Sequence, residues 1–166
     1  IENPDQVIRK EIHKDGFKEV RILDIIQEVR NAGINIGGNY IFGLPMDTEQ
    51  SLQTTLDFAL ENKTEMTNMY CAMAYPGSPL HLTAKKKGWK LPDTYVGYSQ
   101  HAYETLNLSN DNLSAKQILE FRDKAWMTYH TDMSYLKLLE DKFGPKAREN
   151  VEKSTKIKLK RKLLGD

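Results

Sequence analysis

Cysteine is almost absent from this sequence, which contains only Cys71 in 166 residues. One thiol excludes an internal disulfide bond, and it cannot by itself hold a zinc ion or an iron–sulfur cluster, since such sites take about three or four protein ligands. The first residues do not read as a signal peptide either. These features are typical of a protein of the reducing cytoplasm, and we expect that location.

The sequence also lacks long apolar runs and an excess of charge of one sign. Its 24 Lys and Arg residues nearly balance its 23 Asp and Glu residues, which gives a formal net charge of +1. No overall field attracts nucleic acid or an anionic membrane. The longest apolar stretches, YIFGLP and MYCAMAYP, are far shorter than the ~20 residues of a membrane-spanning helix. We therefore predict a soluble protein without a nucleic-acid or membrane partner.

The first half of the chain alternates helices and strands. Apolar spacing predicts helices over about 4–13, 20–33 and 48–62, whereas 34–45 and 67–75 have the composition of buried strands. Helices between consecutive strands predict an α/β fold with a parallel sheet. Two parallel strands cannot close a sheet. We therefore expect either a missing N-terminal part of the same protein, before Ile1, or self-association through the exposed sheet edge.

The second half is predicted to be helical, so we divide the chain into βα units over 1–90 and a helical extension over 91–166. Helices are predicted over 79–87, 114–131, 134–143 and 145–164. The long aromatic stretch between the first two reads as an ordered covering loop. The final basic, amphipathic helix reads as a solvated helix, and contact with nucleic acid or lipid is the alternative.

The strand-to-helix turns FGLPMDT and YPGSPL are the candidate ligand sites, because parallel α/β folds bind ligands at the carboxyl ends of their strands. Alternation along the strands places small and polar residues on one face, which are Asn39, Ile41 and Gly43 in the first strand and Asn68, Tyr70, Ala72 and Ala74 in the second. The other face carries Tyr40, Phe42, Leu44, Met69, Cys71, Met73 and Tyr75. We expect the apolar face to pack on helices and the polar face to look into a lumen.

Polar residues on that lumen side are candidate substrate ligands. Asn39, Asn68 and Tyr70 are the candidates to hydrogen-bond a substrate, and hydrogen bonding to buried backbone is their alternative role. His101 lies in the covering loop beside Ser99 and Gln100, where an imidazole could bind substrate or carry a proton. Cys71 falls on the apolar face and reads as core.

Taken together, GGNYIFGLPMDTEQSLQTTLDFALE and NMYCAMAYPGSPLHLTAKKKGW resemble the last third of the barrel in radical S-adenosylmethionine (SAM) enzymes. The most similar branch carries an N-terminal cobalamin-binding domain. The paired turns FGLP-x-DT-x-x-S and YPGS-x-L carry the resemblance, and IEN-x-x-Q is similar to the end of the fourth strand of that barrel. The resemblance covers about residues 1–90, and FRDKAWMTYH is similar to the helical tail of the same branch.

This resemblance implies the C-terminal portion of a partial (β/α)6 TIM-like barrel followed by a helical tail. It implies SAM and a [4Fe–4S] cluster as cofactors, with cobalamin as an optional third, and a small-molecule substrate. The cluster would cleave SAM to a 5′-deoxyadenosyl radical for an oxidoreductase or methyltransferase reaction. The residues expected near the nucleoside of SAM are Glu2, Phe42, Gly43, Leu44, Tyr75, Pro76 and Gly77, whereas Asn39 and Tyr70 would face the substrate.

The sequence departs from this family in two places. It has no C-x₃-C-x₂-C motif to bind the cluster, and GINIG has Asn35 at the centre of the adenine-contacting pattern. We therefore expect this chain to be inactive by itself and the cluster ligands to lie in the missing N-terminal part. The alternative is a non-catalytic interaction or scaffold domain that uses the helical tail. An aldolase-like or dehydrogenase-like enzyme is disfavoured, because the motifs of those enzymes are absent.

Overall fold

A computed structural model describes residues 4–11 and 22–166 of the chain. In chain order, the elements are α1 (Gln6–Glu11), α2 (Ile22–Asn31), β1 (Gly37–Phe42), α3 (Glu49–Glu61), β2 (Met66–Cys71), α4 (Pro79–Lys87), α5 (Ala115–His130), α6 (Met133–Phe143) and α7 (Pro145–Ser154), with short 3₁₀ turns at Tyr95–Tyr98 and Lys162–Leu164. No described helix is both long enough and apolar enough to cross a membrane.

Local sequence fixes where the main helices begin and end. The side chain of Thr48 accepts a hydrogen bond from the N–H of Ser51, and the Ser51 side chain accepts one from the N–H of Thr48, so α3 starts with a capping box. Ser114 and Gln117 form the same reciprocal pair at the start of α5. Gly88 ends α4 in the left-handed conformation with φ of 68°.

The two strands pair in parallel, as predicted, with Gly37 opposite Met66 and Phe42 opposite Cys71. Their buried face joins α3, α5 and α6 in one apolar cluster, whose strand members are Tyr40, Phe42, Met69 and Cys71. For these four residues this confirms that the apolar face packs on helices, whereas Tyr75, which alternation placed on the same face, is 52% exposed. Asn39 and Asn68, on the opposite face, are exposed and hydrogen-bond each other across the strands at 2.9 Å.

The outer edge of β2 is sealed by the second half of the chain. Arg122 Nε donates to the carbonyl of Met69 at 2.8 Å. The Gln100 amide pairs with both backbone groups of Cys71, at 3.0 and 2.9 Å, as a neighbouring strand would. The N–H of Leu108 donates to the carbonyl of Ala72 at 3.0 Å. The long stretch before α5 is thus an ordered cover over this edge.

The outer edge of β1 is open within the described part of the chain. Hydrogen bonds from Met66 to Ile36 and from Ala72 to Phe42 show that the even-numbered residues of β1 face β2. The backbone groups of Gly37, Asn39 and Ile41 therefore point away from β2. No other described strand pairs there, because the described sheet has two strands.

The end of the chain differs from the predicted final helix over 145–164. Helix α7 stops at Ser154, and the following residues run without regular structure to Arg161. Arg161 is 0% exposed, and its guanidinium bonds to Asp123 of α5 at 3.1 Å and to the carbonyl of Gln100 at 2.9 Å. The prediction of a continuous solvated helix was wrong, because this buried ion pair ties the segment back onto α5.

Only part of the apolar stripe of helix α2 is buried. Ile26 is buried, but Leu23 and Ile25 are 48% and 45% exposed. The apolar face of α2 is therefore wider than the area of that helix that packs against other described residues.

Candidate functional site

A cavity of about 310 Å³ lies at the carboxyl ends of β1 and β2. Its lining residues are Ile41, Leu44, Tyr70, Cys71, Ala72, Met73, Tyr75, Leu80 and Gln100. Parallel α/β folds bind ligands at this end of the sheet. The volume lies at the lower end of the range of about 300–1,000 Å³ that is usual for small-molecule sites. This cavity is the candidate functional site.

The turn after β1 brings Leu44 into the cavity. Gly43 has φ of +84°, which breaks the alternation of the strand. Leu44 then packs with Ile41 and Ala72, two residues of the predicted lumen face. The assignment of Leu44 to the outer apolar face was therefore wrong, because Gly43 leaves the extended conformation before Leu44 is reached.

A buried carboxylate holds this turn. Asp47 is 0% exposed and accepts hydrogen bonds from the N–H of Gly43 at 2.9 Å, the N–H of Leu44 at 2.8 Å and the Ser51 hydroxyl at 2.6 Å. Burial raises the pKa of Asp47, and these hydrogen bonds act in the opposite direction. The N–H groups of Gly43 and Leu44 thus have partners within the protein.

The covering loop holds the same turn from its other side. Asn110 Nδ2 donates to the carbonyls of Leu44 at 2.8 Å and Asp47 at 3.0 Å. Asn112 Nδ2 also donates to the Asp47 carbonyl, at 3.1 Å. Sequence reasoning missed both Asp47 and Asn110, because the capping signal at this helix start is carried by Thr48 and Ser51.

The small size of Gly43 serves helix packing. A Cβ atom at this position would lie 2.7 Å from the side chain of Ile118 in α5. Gly43 was expected to lie near the nucleoside of SAM, but the space beside its Cα atom is occupied by a core side chain.

The turn after β2 forms an aromatic rim. The N–H of Ser78 donates to the carbonyl of Tyr75 at 3.0 Å, and Gly77 has φ of +86°, as a tight turn with Pro at its second position requires. Tyr75 is 52% exposed and stacks on Tyr98 with ring centroids 5.8 Å apart. Tyr95 lies beside Tyr98 at 6.4 Å. The covering loop thus supplies aromatic surface to the cavity mouth.

The predicted site residues fall into two groups. Leu44, Tyr70 and Tyr75 meet at the cavity, with Pro76 and Gly77 exposed on the turn beside Tyr75 and Asn39 further down the polar face. Phe42 is fully buried against Phe121 on the opposite face.

Two further predicted residues cannot be placed at this cavity. His101 borders a different cavity, next to Arg122 and Trp126. Glu2 lies outside the described residues.

The described residues do not fit an iron–sulfur cluster. Among them no group of three or more His, Cys, Asp or Glu side chains is placed to hold a metal ion. Burial raises the pKa of the Cys71 thiol to about 12, and Cys71 belongs to the apolar core, as predicted. A thiol that resists ionisation in this way is a poor metal ligand.

Comparison with known proteins finds two methylating enzymes. The chain is 28% identical over 115 residues to bacteriochlorophyllide d C-12(1)-methyltransferase of Chlorobaculum tepidum, covering 67% of this chain and 24% of the relative. It is 27% identical over 88 residues to hopanoid C-2 methylase of Rhodopseudomonas palustris, covering 53% of this chain and 17% of the relative. The matched part is thus a quarter or less of either relative. No family model matches the chain.

Proposed function

We propose that this chain is the C-terminal part of a radical SAM methyltransferase, in which it forms the last βα units of a partial (β/α)6 barrel and the helical tail that follows. The asymmetry of the sheet carries the proposal. The β2 edge is sealed by Gln100 and Arg122, whereas no strand of the described ranges pairs with the β1 edge at Gly37, Asn39 and Ile41. A strand order that ends at β2 and continues beyond β1 is the arrangement expected for the last strands of an open barrel.

The comparisons support the reaction type. Both relatives have names that describe methylation at a numbered carbon, and both are much longer than the aligned segment. The turn motifs around Gly43 and Gly77 resemble radical SAM enzymes, and both turns border the cavity. We propose carbon methylation of a small organic substrate as the activity of the whole protein.

The cavity residues suggest a division of roles. Leu44 and Tyr75 would contact the nucleoside of SAM, with Pro76 and Gly77 shaping the rim beside it. Asn39, Asn68 and Tyr70 would line the substrate side, where amide and phenol groups can hydrogen-bond a polar substituent. The exposed rings of Tyr75 and Tyr95 would exclude water from an apolar substrate body.

The [4Fe–4S] cluster would be bound by cysteines in the polypeptide that precedes this chain, since the described residues do not fit it. When bound, the cluster supplies the electron for reductive cleavage of SAM. The contribution of this chain would be to position the nucleoside and the substrate and to close one side of the barrel. Cobalamin remains a proposed third cofactor of the whole protein.

The proposal is tested on the full product of the gene, after anaerobic reconstitution with iron and sulfide and with dithionite as the electron donor. We expect iron–sulfur absorbance, 5′-deoxyadenosine formation from SAM and, with hydroxocobalamin, a methylated product. Tyr75→Ala should weaken SAM binding by roughly tenfold, the size expected for a lost aromatic contact of about 1–1.5 kcal/mol, whereas Tyr75→Phe should keep it. A gene product without cluster absorbance and without SAM cleavage would contradict the proposal.

A further inference from the structure

A second cavity, of about 410 Å³, lies between α5 and the segment that follows α7, apart from the strand-end cavity. Its walls are mostly apolar, with Trp126 and Met127 from α5 and Ile157, Leu159 and Leu164 from the end of the chain. Ile157 is 67% exposed, so the mouth of the cavity is itself apolar. Its volume lies within the usual range of about 300–1,000 Å³ for small-molecule sites.

The floor of this cavity carries a cluster of three charged side chains, in which the two arginines are buried and the side chain of Asp123 is 28% exposed. The Asp123 carboxylate bonds to Arg122 at 2.7 Å and to Arg161 at 3.1 Å. Arg122 is 5% exposed and Arg161 is 0% exposed. Two guanidinium groups share one carboxylate, so the cluster keeps one positive charge that is not neutralised within it. A buried charge without a counter-ion is costly, and an anion beside it would be stabilised.

The carboxylates at the cavity rim have cationic partners of their own, and Asp166 also accepts a hydrogen bond from the backbone N–H of Arg161 at 3.1 Å. Glu120 pairs with Lys116 at 3.9 Å, and Asp166 pairs with Lys158 at 2.7 Å. His101 borders the cavity. Burial lowers the pKa of His101, Arg122 and Arg161 lower it further, and Asp123 acts in the opposite direction. The buried guanidinium groups thus place positive charge beside an apolar wall of the cavity.

The guanidinium of Arg122, at the floor of the cavity, has one nitrogen that makes no hydrogen bond to the described residues. Its Nε donates to the Met69 carbonyl and its Nη1 to Asp123, whereas Nη2 has no hydrogen-bond partner among the described residues. A carboxylate placed in the cavity would accept from this free N–H group and form a charge-assisted hydrogen bond.

We propose that this cavity is a binding site for a small carboxylic acid with an apolar body. The carboxylate accepts from Arg122 Nη2 and neutralises the excess charge of the cluster. The hydrocarbon part lies against Trp126, Met127 and Leu159. The occupant is thus an aliphatic or aromatic acid anion, bound apart from the nucleoside and substrate sites proposed at the strand ends.

The test is titration of the full chain with octanoate and, in parallel, with octan-1-ol, followed by calorimetry and by the fluorescence of Trp126. We expect saturable binding of octanoate at one site and roughly tenfold weaker binding of octan-1-ol, the difference that a charge-assisted hydrogen bond supplies. Octanoate should also raise the pKa of His101, measured by NMR, because the bound anion offsets the two guanidinium groups. Absence of saturation, or equal affinity for both probes, would overturn the proposal.

Variants separate this site from binding elsewhere. Arg122→Gln should reduce octanoate affinity to that of octan-1-ol. Since Arg122 also holds Met69, a second variant, Leu159→Trp, fills the cavity without touching the charge cluster and should weaken octanoate by roughly tenfold or more. Leu82→Trp, on the exposed face of α4, is the matched control and should bind as the parent does. Unchanged octanoate affinity in Leu159→Trp would overturn the assignment.

Discussion

Asp47 is the side chain that organises the turn after β1. Replacement by Ala leaves the N–H groups of Gly43 and Leu44 without an acceptor in a buried place, so we expect Asp47→Ala to lower the free energy of unfolding by about 3 kcal/mol. Asp57→Ala, at an exposed position of α3, should cost about 0.5 kcal/mol or less. Urea denaturation measures both, and equal losses would contradict the role of Asp47.

Gly43 and Gly77 form a matched pair, because both have positive φ but only Gly43 is crowded. A Cβ at Gly77 meets no atom within 4 Å, so Gly77→Ala should cost only the left-handed strain of about 1–2 kcal/mol. Gly43→Ala adds a contact with Ile118 at 2.7 Å and should cost about 2 kcal/mol more. Thermal unfolding of the two variants measures the difference, and a smaller loss in Gly43→Ala would show that α5 does not press on this turn.

His130 should make the stability of the chain depend on pH. Burial lowers its pKa, and its Nδ1 lies 2.8 Å from the Trp126 carbonyl. The unfolded chain takes up a proton near pH 6.5 while the folded chain resists it, so the free energy of unfolding should fall as pH decreases below that value. His130→Asn keeps a donor to Trp126 and should show a shallower decrease between pH 7.5 and 5.5. Equal pH profiles in urea denaturation would refute this.

The sequence predicted some site residues and missed others for identifiable reasons. Tyr70 follows from strand periodicity, whereas Tyr75, which alternation placed on the apolar face, was assigned to the site only through the resemblance of the YPGS-x-L turn. Leu44 was placed on the wrong face, because strand alternation assumes an extended backbone and Gly43 has a positive φ. Gln100 and Asn110 were missed as binding partners, since their contacts with Cys71 and Leu44 join residues that are far apart in sequence.

Among the elements, the segment after α7 is held by the buried guanidinium of Arg161 and by the packing of Leu163 and Leu164 on the core. Arg161 joins it to Asp123 and to the covering loop, so Arg161→Gln should release residues 155–166. We expect their amide hydrogens to exchange roughly a hundredfold faster, the equivalent of about 3 kcal/mol, while α3 is unchanged. Lys160→Gln, at an exposed position, is the control. Unaltered protection of this segment in Arg161→Gln would contradict this role of Arg161.

Helices with strong local signals were predicted well. The capping residues Thr48 and Ser114 and the terminal Gly88 mark α3, α5 and α4 close to their observed bounds. The final helix was predicted too long, because lysines at helical spacing do not reveal that Arg161 is buried. The spacing of apolar residues also does not show whether another element packs against a helix. For this reason the sequence did not indicate that Leu23 and Ile25 of α2 would be exposed.

For the chain as a whole, the sequence predicted a two-stranded parallel sheet with one apolar and one polar face. It did not indicate which edge would be open. That depends on where the covering loop and α5 lie, and their contacts with Met69, Cys71 and Ala72 come from residues about thirty or more positions away. The proposal that this chain is the C-terminal part of a larger barrel rests on the difference between the open β1 edge and the sealed β2 edge.

Amide hydrogen exchange at Gly37, Asn39 and Ile41 tests the central claim most directly, compared between this chain and the full product of the gene. If a further parallel strand of the same protein pairs with β1, these amides exchange quickly in this chain and become protected in the full product, while Cys71 is protected in both. Equal, fast exchange in both proteins would contradict the account. So would protection that rises with concentration in this chain alone, because self-association would then be what completes the sheet.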